Sequence, residues 1–589
     1  INLCGGDDVL TLNDGSDIAG LLNPIDGDAG DDRVVLNNAG AFTLEGGDIA
    51  NFELLQKDND GEAILTGAHG FTSGVELNGG ILTVAGTLDT PTVAMGDGTA
   101  LNVEGLLQAG GGTVTVISGS TGVNTVNVGQ GGLLIASGDL GDGDDVLDVA
   151  GVLDTGGSVF SLGDGSDIFT IHDGTVVLGT VDGGAGVDTF NPDIDTSADL
   201  GALTNFEILT KTAIGVLNVN GPGQSDFVEV NVLEGMLNIG AAAGIGGVQD
   251  ATVASGATLS LDGNLSFTTG DDTLTVAGTV IGGGALDMGD GNDTFTLQDG
   301  ADLSGLTMPV NGGAGTDIFV ADLAGSAVLG GAVDFETLTK TNVGTLHVDG
   351  PAMSAFATVN VDGGTLDIGV AGSLDGVQNA TVASGASLIA DGSMVFTPGA
   401  DTFTVAGIVS GSGTIDMLDG DDHLILQDGA DLSGLDNAID GGSGTDTLTA
   451  DIAGAATLGG VTNFETLSKT NTGTLMVAGP APSDFTMVSV DGGMLDVGVD
   501  GSISGVVTTT VAGGATLNVD GSYTGSMGND TMTVAGTISG ASTIFFDDGD
   551  DVLTLNDGAD LSGFTGILDG GAHSGGDTVV LNNAVDLSF

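Results

Sequence analysis

Apolar side chains recur along this chain in short alternating runs that are separated by glycine, aspartate and asparagine. The runs TLTV at 273–276, TFTL at 294–297 and TLHV at 345–348 each place an apolar residue at every second position, as in β-strands with one buried face. Glycine and aspartate between the runs favour tight turns. The i, i+3, i+4, i+7 spacing of an amphipathic helix does not occur. The pattern therefore predicts an all-β protein.

A long internal repeat organises these runs. The motif Phe-Glu-x-Leu-x-Lys occurs four times, with its phenylalanine at Phe52, Phe206, Phe335 and Phe464, so the numbering advances by 154, then 129, then 129 again. Such repeats stack on their neighbours rather than forming separate globules. We expect residues 1–589 to form one continuous solenoid and to be a fragment of a longer protein. The approximate internal units are 1–140, 141–269, 270–398, 399–527 and a partial unit 528–589.

A shorter spacing inside each unit indicates the kind of solenoid. Asp272, Asp293 and Asp317 open successive strands, and their numbers differ by 21 and then by 24, which is about one turn of a parallel β-helix. A unit then holds about six turns, and we interpret the extra length of the first step as one inserted turn. We expect an elongated, right-handed parallel β-helix. The second residue after each turn aspartate should face the core: Leu274, Phe295, Phe319, Phe403, Leu424, Leu448, Met532 and Leu553.

The net charge narrows the range of partners. It is −76, from 81 acidic and five basic side chains, so we exclude nucleic acid and expect no binding to anionic membranes. No apolar run approaches the roughly 18 residues of a membrane helix, and we expect no membrane insertion. Cys4 is the only cysteine, which excludes an intrachain disulfide.

The glycine-rich turns carry the strongest candidate chemistry. GGAGVDTFN at 183–191, GGAGTDIFV at 312–320 and GGSGTDTLT at 441–449 match the nonapeptide G-G-x-G-x-D-x-U-x, where U is a large apolar residue, and resemble the calcium-binding repeats of RTX proteins. The resemblance implies calcium between adjacent turns, held by aspartate carboxylates and turn carbonyls. The candidate ligands are Asp145, Asp164, Asp167, Asp188, Asp272, Asp290, Asp293, Asp317, Asp401, Asp419, Asp422, Asp446, Asp530, Asp548, Asp551 and Asp577.

The motifs depart from the RTX pattern because a dozen or more other residues follow each of them. A calcium ladder would therefore occupy one edge of the helix for about three turns in each unit. The alternative is that these residues are simply good turn formers and that their carboxylates are solvated. Carboxylates about 5 Å apart repel by about 1 kcal/mol in water and by more at a lower effective dielectric, which favours some cation binding. Calcium is the one cofactor that we consider.

The repeat lysines Lys57, Lys211, Lys340 and Lys469 supply four of the five basic residues. The Glu and Lys of each motif are four positions apart, about 13 Å along a straight strand, so they cannot pair within that strand. They could pair across a bend or with a neighbouring turn. We interpret them as structural residues that neutralise acidic turns; a Lys–Asn or Lys–Glu isopeptide crosslink is the alternative.

A search for catalysis is negative. Polysaccharide-active β-helix enzymes use an arginine base, or paired aspartates with nearby basic residues, whereas Arg33 is the only arginine here and the histidines do not recur with the repeat. Paired carboxylates occur in every unit, but an active site should be singular. We predict no catalytic residue and keep a polysaccharide-active enzyme as the weakest alternative. The histidines are His69, His172, His347, His423 and His573.

Three further segments carry a resemblance to a family. FETLTKTNVGTLHVDGP at 335–351, VNVDGGTLDIG at 359–369 and TVASGATLSLDG at 252–263 resemble the passenger domains of bacterial autotransporters, the type V secreted surface proteins. The resemblance implies an extracellular or outer-surface location on a Gram-negative bacterium. It also implies a non-enzymatic role as the shaft of an adhesin, with self-association or a surface glycan or protein as partner. The rival interpretation is a subunit of a surface layer or extracellular filament.

Overall fold

The computed structural model describes residues 1–350, 352–479, 481–572 and 574–582, and His573 lies outside them. Within the described residues the chain forms no helix, 58% of it is strand, and the parallel strands stack as a β-solenoid of about 27 turns. The all-β solenoid predicted from the alternating runs is therefore confirmed. The chain divides into two compact units, Ile1–Gly289 and Asp290–Phe589, which are described separately.

Each turn of the second unit contributes strands to three parallel sheets. One turn begins with Thr402–Val405, continues with Ile408–Gly411 and ends with Thr414–Asp416, and each strand pairs with its own counterparts in adjacent turns. We call the sheet whose strands directly follow the turn aspartates the ladder sheet. The other strands of this repeat are Asp419–Gly420, His423–Leu426, Asp431–Leu435, Ile439–Asp440, Ser443–Gly444, Thr447–Asp451, Ala455–Leu458, Val461–Thr462, Thr466–Thr470, Thr474–Val477, Ser483–Asp484, Met487–Val490, Met494–Val497, Ser502–Val506, Thr508–Val511, Thr516–Val519 and Ser522–Gly525.

The ladder sheet accounts for the length of the repeat. Its successive strands pair in parallel and without a register shift. Starting from Thr402, the aligned positions are His423, Thr447, Thr466, Met487, Thr508 and Thr531. Six turns therefore separate Thr402 from Thr531, which is one full repeat, as the aspartate spacing predicted.

Alternation along the strands places an apolar core inside each unit. In the second unit the rings of Phe295, Phe319, Phe335 and Phe356 stack across successive turns with centroid distances of 4.8–6.4 Å. Such aromatic pairs contribute about 0.5–1.5 kcal/mol beyond their buried area. The predicted core residues are buried, except that Leu553 is half-buried.

The longer first step of the repeat holds seven turns rather than six, because seven successive pairings lead from Leu55 to Leu203. It also moves the motif to another sheet. The strand that holds the first motif lysine, Leu54–Asp58, pairs with Arg33–Asn37. The strand that holds the second, Ile208–Lys211, pairs with Thr189–Pro192 in the other large sheet. The interpretation of the extra length as one inserted turn is therefore confirmed, and a few further residues after Leu203 carry the motif into the other sheet.

Candidate functional site

The candidate aspartates fall into two groups that differ in exposure. The first group precedes ladder-sheet strands and is at most 3% exposed: Asp145, Asp167, Asp188, Asp272, Asp293, Asp317, Asp401, Asp422, Asp446, Asp530 and Asp551. The second group is exposed: Asp164, Asp290, Asp419, Asp548 and Asp577. The alternative of solvated turn carboxylates is wrong for the first group.

The buried aspartates of the first unit form a ladder of hydrogen bonds from turn to turn. The backbone N–H of Asn124 donates to Oδ1 of Asp145 at 2.6 Å, and the N–H of Asp145 donates to Oδ1 of Asp167 at 2.6 Å. The N–H of Asp167 donates to Oδ1 of Asp188 at 2.8 Å, and the N–H of Asp188 donates to Oε2 of Glu207 at 2.7 Å. Each carboxylate thus satisfies an N–H of the preceding turn. A hydrogen bond to a charged group contributes about 1.5–3 kcal/mol.

The second unit repeats this ladder. The N–H and Oγ1 of Thr397 donate to the carboxylate of Asp401 at 2.9 and 2.8 Å. The N–H of Asp401 donates to Asp422 and that of Asp422 to Asp446, both at 2.8 Å. The N–H of Asp446 donates to Oε2 of Glu465 at 2.6 Å. A threonine therefore begins the ladder and the glutamate of the Phe-Glu motif ends it.

In most of these aspartates the second carboxylate oxygen, Oδ2, does not take part in the ladder of hydrogen bonds. Oδ2 of Asp145, Asp167, Asp188, Asp422 and Asp446 is buried and has no hydrogen-bond partner among the described residues. Desolvation by burial disfavours the charged form. It raises the pKa of Asp145 to about 6, of Asp167 to about 7 and of Asp422 to about 6, against the opposing effect of the N–H that each accepts. These carboxylates would be stabilised by a proton or a cation.

The first glycine of the nonapeptide packs tightly against a carbonyl oxygen and a carboxylate. A Cβ added to Gly183, the first glycine of the nonapeptide, would clash with the carbonyl oxygen of Asn205 and lie 2.9 Å from Oδ2 of Asp188. A Cβ on Gly441 would likewise lie 2.5 Å from the carbonyl oxygen of Asn463. Asn205 has a φ of 54°, a left-handed conformation that asparagine tolerates. Glycine is therefore required at the first position of the motif because a carboxylate and a carbonyl oxygen converge there.

Few side chains beside the ladder could serve as metal ligands. Within the described ranges, no group of three or more His, Cys, Asp or Glu side chains is placed to hold a metal ion. A cation between turns would be held by an aspartate oxygen together with main-chain carbonyls. Calcium takes six to eight oxygen ligands and accepts both kinds, so the residues present are of a suitable type.

The sequence analysis missed the residues that begin and end the ladders. The ending glutamates are Glu53, Glu207, Glu336 and Glu465, each of which accepts the N–H of a buried aspartate at 2.5–2.8 Å. Their signal is the Asn or Asp before the Phe-Glu pair, because that residue takes the left-handed conformation that turns the chain. The beginning residues have the signal Thr/Ser-x-Gly-x-Asp and are Thr268, Thr397 and Ser526.

The repeat lysines are core residues that cap turn carbonyls. Nζ of Lys340 donates to the carbonyl oxygens of Thr341, Asn342 and Gly363 at 2.6, 3.2 and 3.3 Å. Nζ of Lys469 has the equivalent three partners at 2.6, 3.2 and 3.3 Å. Burial lowers the pKa of both lysines, and nearby aspartates oppose this effect. The ammonium group therefore donates three hydrogen bonds to carbonyl oxygens inside a bend.

The other two lysines follow the same pattern. Lys57 donates to three carbonyl oxygens at 2.7–3.2 Å, and Lys211 donates to that of Ala213. Over the part of the chain that the structure describes, neither forms a carboxylate ion pair within 4.0 Å, and the same holds for Lys340 and Lys469. A direct pair across a bend or with a neighbouring turn, which the spacing left open, therefore does not form among the described residues, although nearby aspartates still act on the lysines at longer range. They face main-chain oxygens, which are also not partners for an isopeptide bond.

The histidines have separate local partners. Nε2 of His172 lies 2.7 Å from Oδ1 of Asp148, and Nδ1 of His347 lies 2.9 Å from Oδ2 of Asp367. These pairs belong to different units and to different sheets. His69 is buried, and desolvation lowers its pKa.

Comparison with known proteins gives no relative for this chain. No protein-family model, curated protein or solved structure matches it. In the described residues, no helix is long and apolar enough to cross a membrane.

Proposed function

We propose that this chain is a non-enzymatic structural protein of the bacterial cell surface and forms the shaft of an adhesin of the autotransporter type. The proposal is supported by the hydrogen bonds that the repeated polar residues make between and within turns. The carboxylates of the ladder aspartates, and of the glutamates that end the ladders, accept N–H groups of the preceding turn, and the repeat lysines donate to the carbonyl oxygens of bends. These residues hold neighbouring turns together along the solenoid, which is the task of a shaft.

Deletion of one repeat tests the proposal in cells that produce the full-length parent protein. Removing residues 402–530 takes out six whole turns, so the remaining strands keep their partners. We expect the shortened protein to stay accessible to external antibody and protease, and adhesion to fall because the binding end lies closer to the cell. Retention inside the cell would contradict the proposal. An ordered lattice or filament of the native protein would support the rival surface-layer or filament subunit instead.

We further propose that calcium binds beside the ladders, where unpartnered carboxylate oxygens and turn carbonyl oxygens converge. In the first unit Oδ2 of Asp188 and the carbonyl oxygen of Asn205 would contribute to one such site. The proposal rests on the buried oxygens without a partner, since an ionised carboxylate in that position lacks compensation.

Equilibrium dialysis with calcium tests this directly and does not depend on stability. We expect saturable binding that Asp188→Asn reduces, whereas Asp193→Asn, at an exposed position outside the candidate ligands, leaves the ladder site intact. Binding that magnesium displaces equally well, or that Asp188→Asn leaves unchanged, would contradict a calcium site at the ladder.

A further inference from the structure

The ladder sheet of the second unit presents two straight columns of side chains to solvent. We define the threonine face as the outward positions that align with Thr402 and Thr404, on the strands from Thr294–Leu297 to Thr578–Asn582. Successive strands pair in parallel and in register, so the columns are continuous. Rows with threonine at both positions include Thr402 and Thr404, Thr508 and Thr510, and Thr531 and Thr533.

The threonine face carries no formal charge. Its outward positions, all of them on described strands, include no Asp, Glu, Lys or Arg, although 81 of the 589 residues of the chain are acidic. The other outward residues are Ser, Asn, Ile, Val, Met and one histidine. Acidic side chains resume at the margin of the face, at Asp322 and Asp451.

Strand preference alone does not account for this surface. Threonine is favoured and aspartate disfavoured in any strand, so the same composition should appear on equivalent surfaces. The ladder sheet of the first unit nevertheless has Asp148, Glu229 and Asp250 at outward positions. The second sheet of the second unit has Asp367 and Asp496. The absence of charge is therefore a property of this one face.

The dimensions of the face indicate a partner that repeats in two directions. Adjacent strands lie about 4.8 Å apart, and alternate residues along a strand are about 6.6 Å apart. Each threonine offers one hydroxyl, which donates and accepts hydrogen bonds, and one methyl group. The result is a surface on which hydroxyl and methyl groups recur in two directions and formal charge is absent.

We propose that the threonine face binds ice. Water molecules on a prism face of hexagonal ice repeat at spacings of similar size along two perpendicular directions, so rows of hydroxyls can join that lattice while the methyl groups order the water between them. A second copy of this chain is a poorer occupant, because a large net charge of one sign keeps proteins apart. This inference is independent of the role as an adhesin shaft.

Partition into a slowly growing ice crystal tests the proposal with the full chain. We expect the protein to be incorporated into ice rather than excluded as most solutes are. Thr510→Tyr places a bulky ring within the face, beside Thr533 of the next row, and should reduce the incorporated fraction by more than half. Thr516→Tyr makes the same change at a half-buried outward position of the second sheet and should leave incorporation unchanged.

Two further measurements keep the test decisive. Circular dichroism melts of both variants should match the parent, which shows that the loss of incorporation does not come from unfolding. Exclusion of the parent protein from ice would overturn the proposal. Equal incorporation of the two variants would also overturn it. A third contrary result is a dimer in sedimentation velocity that Thr510→Tyr dissociates, since the face would then pair two copies of the chain.

Discussion

The pH dependence of Asp167 offers a quantitative test of the buried ladder. Asp167 is 1% exposed, and its Oδ2 has no hydrogen-bond partner among the described residues. Desolvation is the main cause that raises its pKa from 3.8 to about 7, and the neighbouring carboxylates of Asp188 and Asp145 add to the rise. The N–H of Asp145, which donates to Oδ1, works in the opposite direction.

The direction of the effect on stability follows from these two pKa values. Between them the folded chain holds a proton that the unfolded chain releases, so the free energy of unfolding decreases as the pH rises. The contribution of this carboxyl is complete below the unfolded value of 3.8 and is lost as the pH rises through about 7. One pKa unit corresponds to about 1.4 kcal/mol, so the loss amounts to about 4 kcal/mol.

The substitution Asp167→Asn isolates this contribution. Asparagine keeps an oxygen that can accept the N–H of Asp145 but does not titrate. In urea denaturation with a chelator present, we expect the parent to lose about 4 kcal/mol more than D167N between acidic and mildly alkaline pH. Asp164→Asn, at an exposed position of the same turn, should behave like the parent. Parallel stability profiles for D167N and the parent would refute the reasoning.

Three other substitutions test separate parts of the account. Lys340→Met should lower the free energy of unfolding by about 1–3 kcal/mol because buried carbonyl oxygens lose their donor; an unchanged urea midpoint would show that water replaces the ammonium. Glu465→Ala should cost a similar amount because the buried N–H of Asp446 loses its acceptor, and Glu465→Gln should restore part of it, whereas equal stability of both variants would contradict the cap. Gly183→Ala should reduce calcium binding by the adjacent ladder, as measured by equilibrium dialysis, because its methyl group would displace the carbonyl oxygen of Asn205 and the carboxylate of Asp188, the two proposed ligands; undiminished binding would place the ion elsewhere.

The sequence was sufficient for the architecture because both of its periods are local. Alternation of apolar residues determines which face of a strand is buried, and the spacing of Asp401 and Asp422 equals one turn of the solenoid. It did not indicate the direction of the aspartate side chains. From the sequence alone, an aspartate in an Asp-Gly turn is expected to be solvated. Only the stacking of turns shows that its carboxylate accepts an N–H of the preceding turn.

The direction of the lysine side chains was likewise not predicted from the sequence. Lys340 was interpreted as a residue that neutralises acidic turns, but its position two residues after the buried Leu338 already points its side chain inward, toward main-chain oxygens. The additional chain before the second motif does contain one inserted turn, but its length did not specify which of the three sheets receives the next strand. What the sequence left open in both cases is three-dimensional direction rather than the type of element.

The central claim is that the buried carboxylates require a positive partner, which is a proton at low pH and calcium at neutral pH. Thermal unfolding by circular dichroism at neutral pH, with calcium and then with a chelator, tests it most directly. The account predicts a large, saturable loss of stability on chelation that acidification partly reverses. Unchanged unfolding, with magnesium or sodium as effective as calcium, would contradict it.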